Sequence, residues 1–439
     1  MRRARDVAQP EGQAGPVVTL RAIKLIGGGR ALAHHENETW MVAGALPGEE
    51  VEAQTTRRRA GIVEARTLEV QGGRHPARMN DPCPQTGVCG GCDWPHVDPI
   101  DGSPLKAAAA SDAARAYPDL AALIADASIH TSPPGYRLRA RLHWDPGLQR
   151  LGFFEARSRK VAAIDGCQIL SPQLLSALPL LCESLSRRCP VPVDVEWLEG
   201  TDPSNAVAAL RRSKGGPRKF NSSWVPVRQE VGSIMAGFHA LSAEGQPGHG
   251  WGASEVRFEM PISLTVPIGC FFQGNRHLLG TLFGRVAELA GDHPDPVFDL
   301  HAGVGLLAAA ALSAGDRELN LVEPHRPAAR AAQGNLPEAR VAVGETAESF
   351  VGTTTNLPKR ALVITDPPRT GMSRGLLRDL ADWGPQRILM LGCDPATWAR
   401  DAGFLSEHGY RPTEIELFDL FPHTHHVEIL ALMELTRPR

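Results

Sequence analysis

After Val266 the chain settles into one repeating texture, an apolar strand-like run, a glycine or proline turn and a helix-forming stretch. "PVFDL" leads into "HAGVG" and "LLAAAALSAG", and "LNLVEP", "ALVITDPP" and "RILMLGC" repeat the change of period. Runs that are apolar throughout need cover on both faces, which strand–helix alternation provides by laying parallel strands in a doubly wound sheet. In such a sheet ligands bind beyond the carboxyl ends of the strands. The residues that close these runs are therefore the first candidates for chemistry: Asp299, Glu323, Asp366 and Cys393.

Asp299 precedes His301, Gly303 and Gly305, and the two glycines let the backbone pass close to a ligand before a helix begins. Glu323 closes the next strand, where a carboxylate can accept hydrogen bonds from ribose hydroxyls. The loop lacks the G-x-G-x-x-G spacing and basic cradle of a dinucleotide site, so S-adenosylmethionine fits it better. Asp366 in "ITDPPRTG" faces the substrate from a loop stiffened by two prolines, although such an aspartate can also merely cap the helix that follows. Cys393 stands where a buried strand runs into "GCDPATWARD". A thiol there is a candidate nucleophile if helix termini or a cation such as Arg369 stabilise its thiolate. Glu428 lies among three histidines in "FPHTHHVE", at the start of a final apolar strand.

Upstream, residues 1–15 read as a flexible leader, 16–75 as a small β-barrel of short strands and turns, and 76–265 as a central β-rich domain; residues 266–439 are the doubly wound unit. An alanine-rich helix is expected from about Lys106 to Ala116. "YRLRARLHW" and "RLGFFEARSRKVAAIDGC" read as a hairpin turning at "DPG", in which Arg137, Arg139 and Arg141 share one face because side chains alternate with period two. Other basic patches are Arg57-Arg58-Arg59 and Arg211 to Lys219, and "GGPRK" reads as an exposed loop. With a formal net charge of −3, a polyanion would have to be held by local patches of this kind.

Cys83, Cys89 and Cys92 follow the spacing C-x5-C-x2-C, and Cys167 offers a fourth thiolate at the end of the predicted hairpin. In a reducing compartment such a cluster reads as a metal site, and spacing alone leaves zinc and an iron–sulfur cluster both open. Cys182, Cys189 and Cys270 have no comparable neighbours and read as small core residues. No run approaches a membrane span and the basic N-terminus lacks a signal-peptide core, so a cytoplasmic protein without a membrane partner is expected. Nothing in the sequence demands more than a monomer.

Taken in order, "CPQTGVCGGC" with Cys167, "FFQGN", "DPPRTG", "GCDPATWARD" and "FPHTHHVE" resemble the iron–sulfur-containing RNA (uracil-5-)-methyltransferases over most of the chain. The resemblance implies an α/β multidomain protein with an N-terminal OB-like barrel of TRAM type, a central β-rich domain with the cysteine cluster, and a C-terminal doubly wound, Rossmann-like methyltransferase domain. It implies a [4Fe–4S] cluster on Cys83, Cys89, Cys92 and Cys167, favoured over zinc. Methyl-donor contacts fall on Gln273, Glu323 and Asp366, with Asp299, His301, Gly303 and Gly305 in the same pocket. Cys393 takes the role of nucleophile and Glu428 that of proton acceptor. The implied partner is RNA, with ribosomal RNA favoured over transfer RNA.

The chain departs from the family pattern in places. His301 stands where an aromatic is usual, Ala302 where a cysteine is, and Leu306 where a polar or small residue is; "GCDPAT" replaces "SCNPAT" through Gly392 and Asp394. These changes keep open a non-catalytic RNA-binding or RNA-chaperone role. A zinc-dependent methyltransferase acting on a small molecule or protein is the other alternative, and the barrel argues against it.

Overall fold

The computed structural model describes residues 15–59, 61–80, 82–213 and 221–436. Nearly all of the expected leader, the loop "GGPRK" and most of the patch Arg211 to Lys219 lie outside them.

Eight strands form the sheet that organises the C-terminal half, in the order 340–343, 319–323, 297–299, 362–365, 387–392, 428–435, 410–418, 128–130. The first five are parallel, as their apolar runs require, and Glu428–Leu435 enters antiparallel between Arg387–Gly392 and Tyr410–Phe418. Strand order reverses beside Val297–Asp299, between Leu319–Glu323 and Leu362–Thr365, and this is where a doubly wound sheet opens a crevice. One layer of helices seals each face. Leu306–Ala314 packs Ala308 to Ala311 at full burial on one side, while Arg374–Trp383 and Pro395–Glu407 cover the other through Leu376, Leu380, Trp398 and Leu405.

The last strand of this sheet comes from far upstream. Ser128–His130 pairs in parallel with Glu416–Phe418, and the helices Ser103–Ala113 and Pro118–Asp126 that precede it bury Ala110, Ala114, Leu120 and Ile124 in the same core. The stretch 103–130, assigned above to the central domain, therefore belongs structurally to the C-terminal sheet; three residues carry too little periodicity to announce a strand. The alanine-rich helix also begins earlier than expected, at Ser103 after Gly102 and with Pro104 in its first turn, and ends at Ala113 rather than Ala116.

A six-stranded sheet spans Val17–Gln71 around Trp40, Leu46 and Val51. A second six-stranded sheet holds Arg139–Asp145 and Arg150–Gly152 with Val193–Leu198, Val207–Arg211, Gly237–Leu241 and Pro247–Gly252. The expected hairpin forms, but its second strand stops at Gly152. A Cβ there would lie 2.2 Å from the carbonyl oxygen of Ala162, so the chain folds back on itself through a loop that delivers Cys167. Leu264–Pro267 pairs with Glu255–Phe258, so a two-stranded sheet straddles the boundary expected at 266. Cys189 and Cys270 lie in the core.

Candidate active site

Four neighbouring parallel strands of the C-terminal sheet end at or directly before Asp299, Glu323, Asp366 and Cys393. Asp299 is fully buried; its Oδ1 accepts from the His301 amide at 3.2 Å, and its Oδ2 has no hydrogen-bond partner among the described residues. Glu323 accepts from the amides of Gly303 at 2.8 Å and His325 at 2.7 Å, so the neighbouring strand tethers the glycine loop. Gly303 and Gly305 both have left-handed backbone (φ 55° and 95°), and a Cβ on Gly305 would come within 3.0 Å of Leu336, which explains the residue type there. Burial lowers the His301 pKa to about 4, so its ring is neutral.

Asp366 does not cap the helix that follows it, since Ser373 does so by accepting from the Leu376 amide. Gln273, 6% exposed, points its Nε2 at Asp366 Oδ2 at 3.5 Å. Burial pushes Asp299 and Asp366 up to about 7, and for Asp299 the nearby Asp366 and Glu323 carboxylates add to it. Buried carboxylates gathered at one edge are complementary to a cationic ligand, and a sulfonium with an α-ammonium group is one.

Cys393 and Glu428 close the far side of the same crevice. Their strands are adjacent, Gly392 pairing with Ile429 in antiparallel register, so each residue lies next to that pair. Burial first, then the Glu428 and Asp366 carboxylates, push the Cys393 thiol up to about 12 against the opposing Arg369 guanidinium. Glu428 is 4% exposed, and its Oε2 has no hydrogen-bond partner among the described residues; burial first, then Asp366, raises it to about 8. A hollow beside Cys393 is walled by Gly27–Gly29 of the N-terminal sheet, Trp94, His425 and His426.

The two departures beside Cys393 have local causes. Asp394 caps the helix Pro395–Glu407, its Oδ1 accepting from the Thr397 amide at 2.9 Å, a role an asparagine also performs. Gly392 faces Trp398, whose Cδ1 would stand 2.8 Å from a Cβ, so the indole fills the space a side chain at 392 would take. The "DPPRTG" loop is held to the same helix: Arg400 donates to the carbonyls of Thr370 and Met372, and Asp401 accepts from the Met372 amide at 2.7 Å.

Cys83, Cys89, Cys92 and Cys167 line one hollow with Phe153, Ile164 and His423. Burial first, with Cys167, Cys89 and Cys83 beside it, raises Cys92 to about 12 against the opposing Arg137. Among the described residues, no group of three or more His, Cys, Asp or Glu side chains is gathered closely enough to hold a single metal ion. Arg137 also lies 5.7 Å from the Phe153 ring, which places the arginine face next to this hollow.

That face lines a groove with Phe271 and Phe421. Leu138, Ala140 and Leu142 are buried behind it. Arg139 lies 5.8 Å from the ring of Phe271, an aromatic left 59% exposed. The reading of a purely cationic face needs one correction: Glu196 on the paired strand is 3% exposed and binds both Arg141 and Arg211 at 2.7 Å. The alternation that gathers the arginines also gathers Asp194 and Glu196 opposite them, and Asp194 holds His143 at 2.9 Å. Elsewhere, Arg58 pairs with Glu38.

Sequence reasoning missed the residues that hold the loop before Glu428. Lys106 Nζ is buried against Asp419 Oδ1 at 2.5 Å and donates to the carbonyls of Phe421 and His426 at 3.1 and 3.0 Å. The Tyr136 hydroxyl donates to Pro422 O at 3.2 Å, and Asn275 of "FFQGN" donates to Leu420 O at 3.0 Å. A lone lysine on the face shared by Ala110 and Ala114 is the one signal of this in the sequence.

A strand order with a final antiparallel insertion, a glycine loop after the first strand and an acidic crevice at the carboxyl edge together define a methyltransferase of Rossmann-like fold. The solved structure of Pyrococcus abyssi tRNA (uracil-54, C5)-methyltransferase in complex with S-adenosyl-L-homocysteine is similar to it, with a TM-score of 0.72 over 94% of this chain and all of that one, at 19% identity. Residues 357–436 match the family model described as tRNA (Uracil-5-)-methyltransferase. Proteins named 23S rRNA (uracil(1939)-C(5))-methyltransferase RlmD are 32% identical in Alkalilimnicola ehrlichii, covering 92% of this chain and 94% of the relative, and 31% identical in Pseudomonas fluorescens, covering 98% and 94%. The chain belongs to the RNA uracil-5-methyltransferase family. No helix among its described residues is long and apolar enough to cross a membrane.

Proposed function

We propose that the protein methylates C5 of a uridine in 23S ribosomal RNA, using S-adenosylmethionine and covalent catalysis by Cys393. The observation that carries this is the placement of a thiol and a buried carboxylate, Cys393 and Glu428, on adjacent strand ends facing an acidic crevice. Bound there, S-adenosylmethionine supplies an electrophilic methyl group. Gln273, Asp299, His301, Glu323 and Asp366, with the Gly303–Gly305 loop, are the residues that hold it, and the unpartnered Asp299 Oδ2 fits a cationic or hydroxyl-bearing ligand.

Uracil C5 is a poor nucleophile. Addition of the Cys393 thiolate to C6 places an enolate's electrons on C5, which then takes the methyl group as the sulfonium's S–CH3 bond breaks and its electron pair stays on sulfur. Glu428 removes the C5 proton, the C6–S bond breaks, the thiolate leaves and the ring is restored. The target nucleotide has to leave its stack to reach Cys393, at a cost of about a few kcal/mol. The arginine face, with Phe271 as an exposed ring for an unstacked base, offsets that cost through phosphate and stacking contacts.

Within this reading, residues 16–75 are a TRAM-like RNA-binding unit and Cys83, Cys89, Cys92 and Cys167 hold a [4Fe–4S] cluster. Four cysteines lining one hollow are a ligand set that a cysteine-bound cluster would use. The enzyme acts as a cytoplasmic monomer.

Incubation with methyl-labelled S-adenosylmethionine and separate 23S and transfer RNA transcripts tests the assignment. Label recovered as 5-methyluridine in the 23S transcript is expected. Label in transfer RNA alone reassigns the substrate, and RNA binding with neither product nor adduct supports a non-catalytic RNA-binding role. Replacing Arg137, Arg139 and Arg141 together by alanine is expected to weaken RNA binding and to flatten the salt dependence by about 0.7 per lost contact to single-stranded phosphate. An unchanged affinity and slope would remove this face from the RNA site.

A further inference from the structure

The hollow lined by the four cysteines and the crevice holding Glu428 are joined by a short path of hydrogen bonds. Asp93 and Trp94 directly follow Cys92. The Trp94 amide donates to the carbonyl of His423 at 2.9 Å, and Asp93 Oδ1 accepts from the His425 amide at 3.1 Å while its other oxygen meets the His425 ring. His423, whose backbone is left-handed (φ 62°), also lines the cysteine hollow. Glu428 follows His425 by three residues.

The packing leaves this junction little slack. The Trp94 indole donates to the Gly29 carbonyl at 2.7 Å, and a Cβ on Gly29 would lie 2.7 Å from His425 Cβ, 2.7 Å from Trp94 Nε1 and 3.1 Å from Asp93 Oδ2. Gly29 also has left-handed backbone (φ 69°), so a substitution there is strained on two counts. Three segments distant in sequence therefore meet at one point, and one of them carries the proton acceptor.

We propose that Asp93 and Trp94 are positioning residues: the cysteine loop sets the place of the segment 423–427 and, through it, the reach of Glu428 to C5 of the methylated base. This rests on the covalent reading given above. It gives the cysteine loop a task in a reaction that transfers no electrons. Cys393 follows the strand Arg387–Gly392 and the groove's Arg139 and Arg141 lie on the strand Arg139–Asp145, outside the loosened segment, so loosening the junction slows the proton-removal step most.

The experiment uses Asp93→Ala and Asp93→Asn in the cluster-loaded protein, after visible absorbance shows equal cluster content. For Asp93→Ala, adduct formation with 5-fluorouridine RNA and KM for RNA are expected to match the parent. Release of 5-methyluridine RNA, and with it kcat, is expected to fall roughly ten- to a hundredfold, the usual cost of a catalytic group misplaced by about 1 Å. The methylated covalent adduct then accumulates. Asp93→Asn keeps an oxygen for the His425 amide and recovers most of the loss. Unaltered release, or a proportionate loss of adduct formation and RNA affinity, overturns the proposal.

A second readout needs no reaction. Amide hydrogen exchange in a peptide covering 421–428 is expected to rise at least about tenfold in Asp93→Ala while the strand Arg387–Gly392 is unaffected, since opening of this loop is local. Unchanged exchange there overturns the junction even if the methylation reading stands. Faster exchange in Asp93→Ala, together with a parent protein that forms neither adduct nor product, places the failure in the reaction assigned above.

Discussion

Cys393→Ala will form no covalent adduct with 5-fluorouridine RNA and will lose 5-methyluridine formation by on the order of 10⁴-fold or more, because removing the nucleophile removes the covalent route as a unit. The fold should survive the change. Cys393 is only part-buried at a strand end, and Asp394 continues to cap the helix Pro395–Glu407 without it. RNA affinity should hold as well, since the groove of Arg137, Arg139 and Phe271 is built on other strands. The environment adds a second, independent expectation. Burial and two nearby carboxylates hold the thiol up to about 12, so at neutral pH it rests protonated, and adduct formation should accelerate as pH rises from 7 to 9. The measurement is denaturing-gel detection of the RNA–protein adduct across pH, with mass spectrometry of nuclease-digested product. A Cys393→Ser protein that methylates at the parent rate would dismiss the mechanism.

The parallel sheet was legible because its strands are buried on both faces and so carry unbroken apolar runs, each punctuated by a glycine or proline turn. The same punctuation located Asp299, Glu323, Asp366 and Cys393, since residues that end such runs share one edge of the sheet whatever the intervening sequence. What escaped the reading depends on contacts between distant segments. Lys106 and Asp419 are 313 residues apart, and neither residue alone predicts that both will be buried. Ser128–His130 takes its place in the sheet from its neighbour Glu416–Phe418, and three residues express no period.

The central sheet shows an intermediate case. Alternation in "YRLRARLHW" placed Arg137, Arg139 and Arg141 on one face, and the structure buries the opposite face as that alternation requires. The same rule applied to "VDVEWL" gathers Asp194 and Glu196, but only the antiparallel register sets Glu196 opposite Arg141 and Asp194 opposite His143. Charge complementarity between two predicted strands is a usable signal of their pairing. It would have shown that Arg141 is partly spent on its own sheet, leaving Arg137 and Arg139 as the cations more available to a polyanion. The cap formed by Asp394 and the Gly392–Trp398 contact make the same point about the nucleophile loop, where local substitutions look disruptive until their partners are seen.

Glu428→Gln is expected to stop the reaction after methyl transfer, lowering turnover by about 10²- to 10⁴-fold, the range for loss of a positioned general base. Thiol addition and methylation precede its step, so the protein should accumulate as a covalent complex with methylated RNA, visible on a denaturing gel, where Cys393→Ala shows none. The same substitution should alter stability in a pH-dependent way. Burial and the neighbouring Asp366 raise Glu428 to about 8 in the folded chain, against 4.5 for a free glutamate. Between those values the folded state binds the extra proton, so the group's contribution to stability is fully present below about 4.5 and is lost as pH rises through 8, each pKa unit corresponding to about 1.4 kcal/mol. Glutamine never ionises and escapes that loss. The Tm of Glu428→Gln should therefore match the parent near pH 5 and exceed it increasingly toward pH 8.5. A constant difference across that range would mean that Glu428 is ionised at rest, already paired with a cation in the unliganded site. It would then need no rise in pH to accept the C5 proton, and the pH dependence of turnover would fall to Cys393 alone.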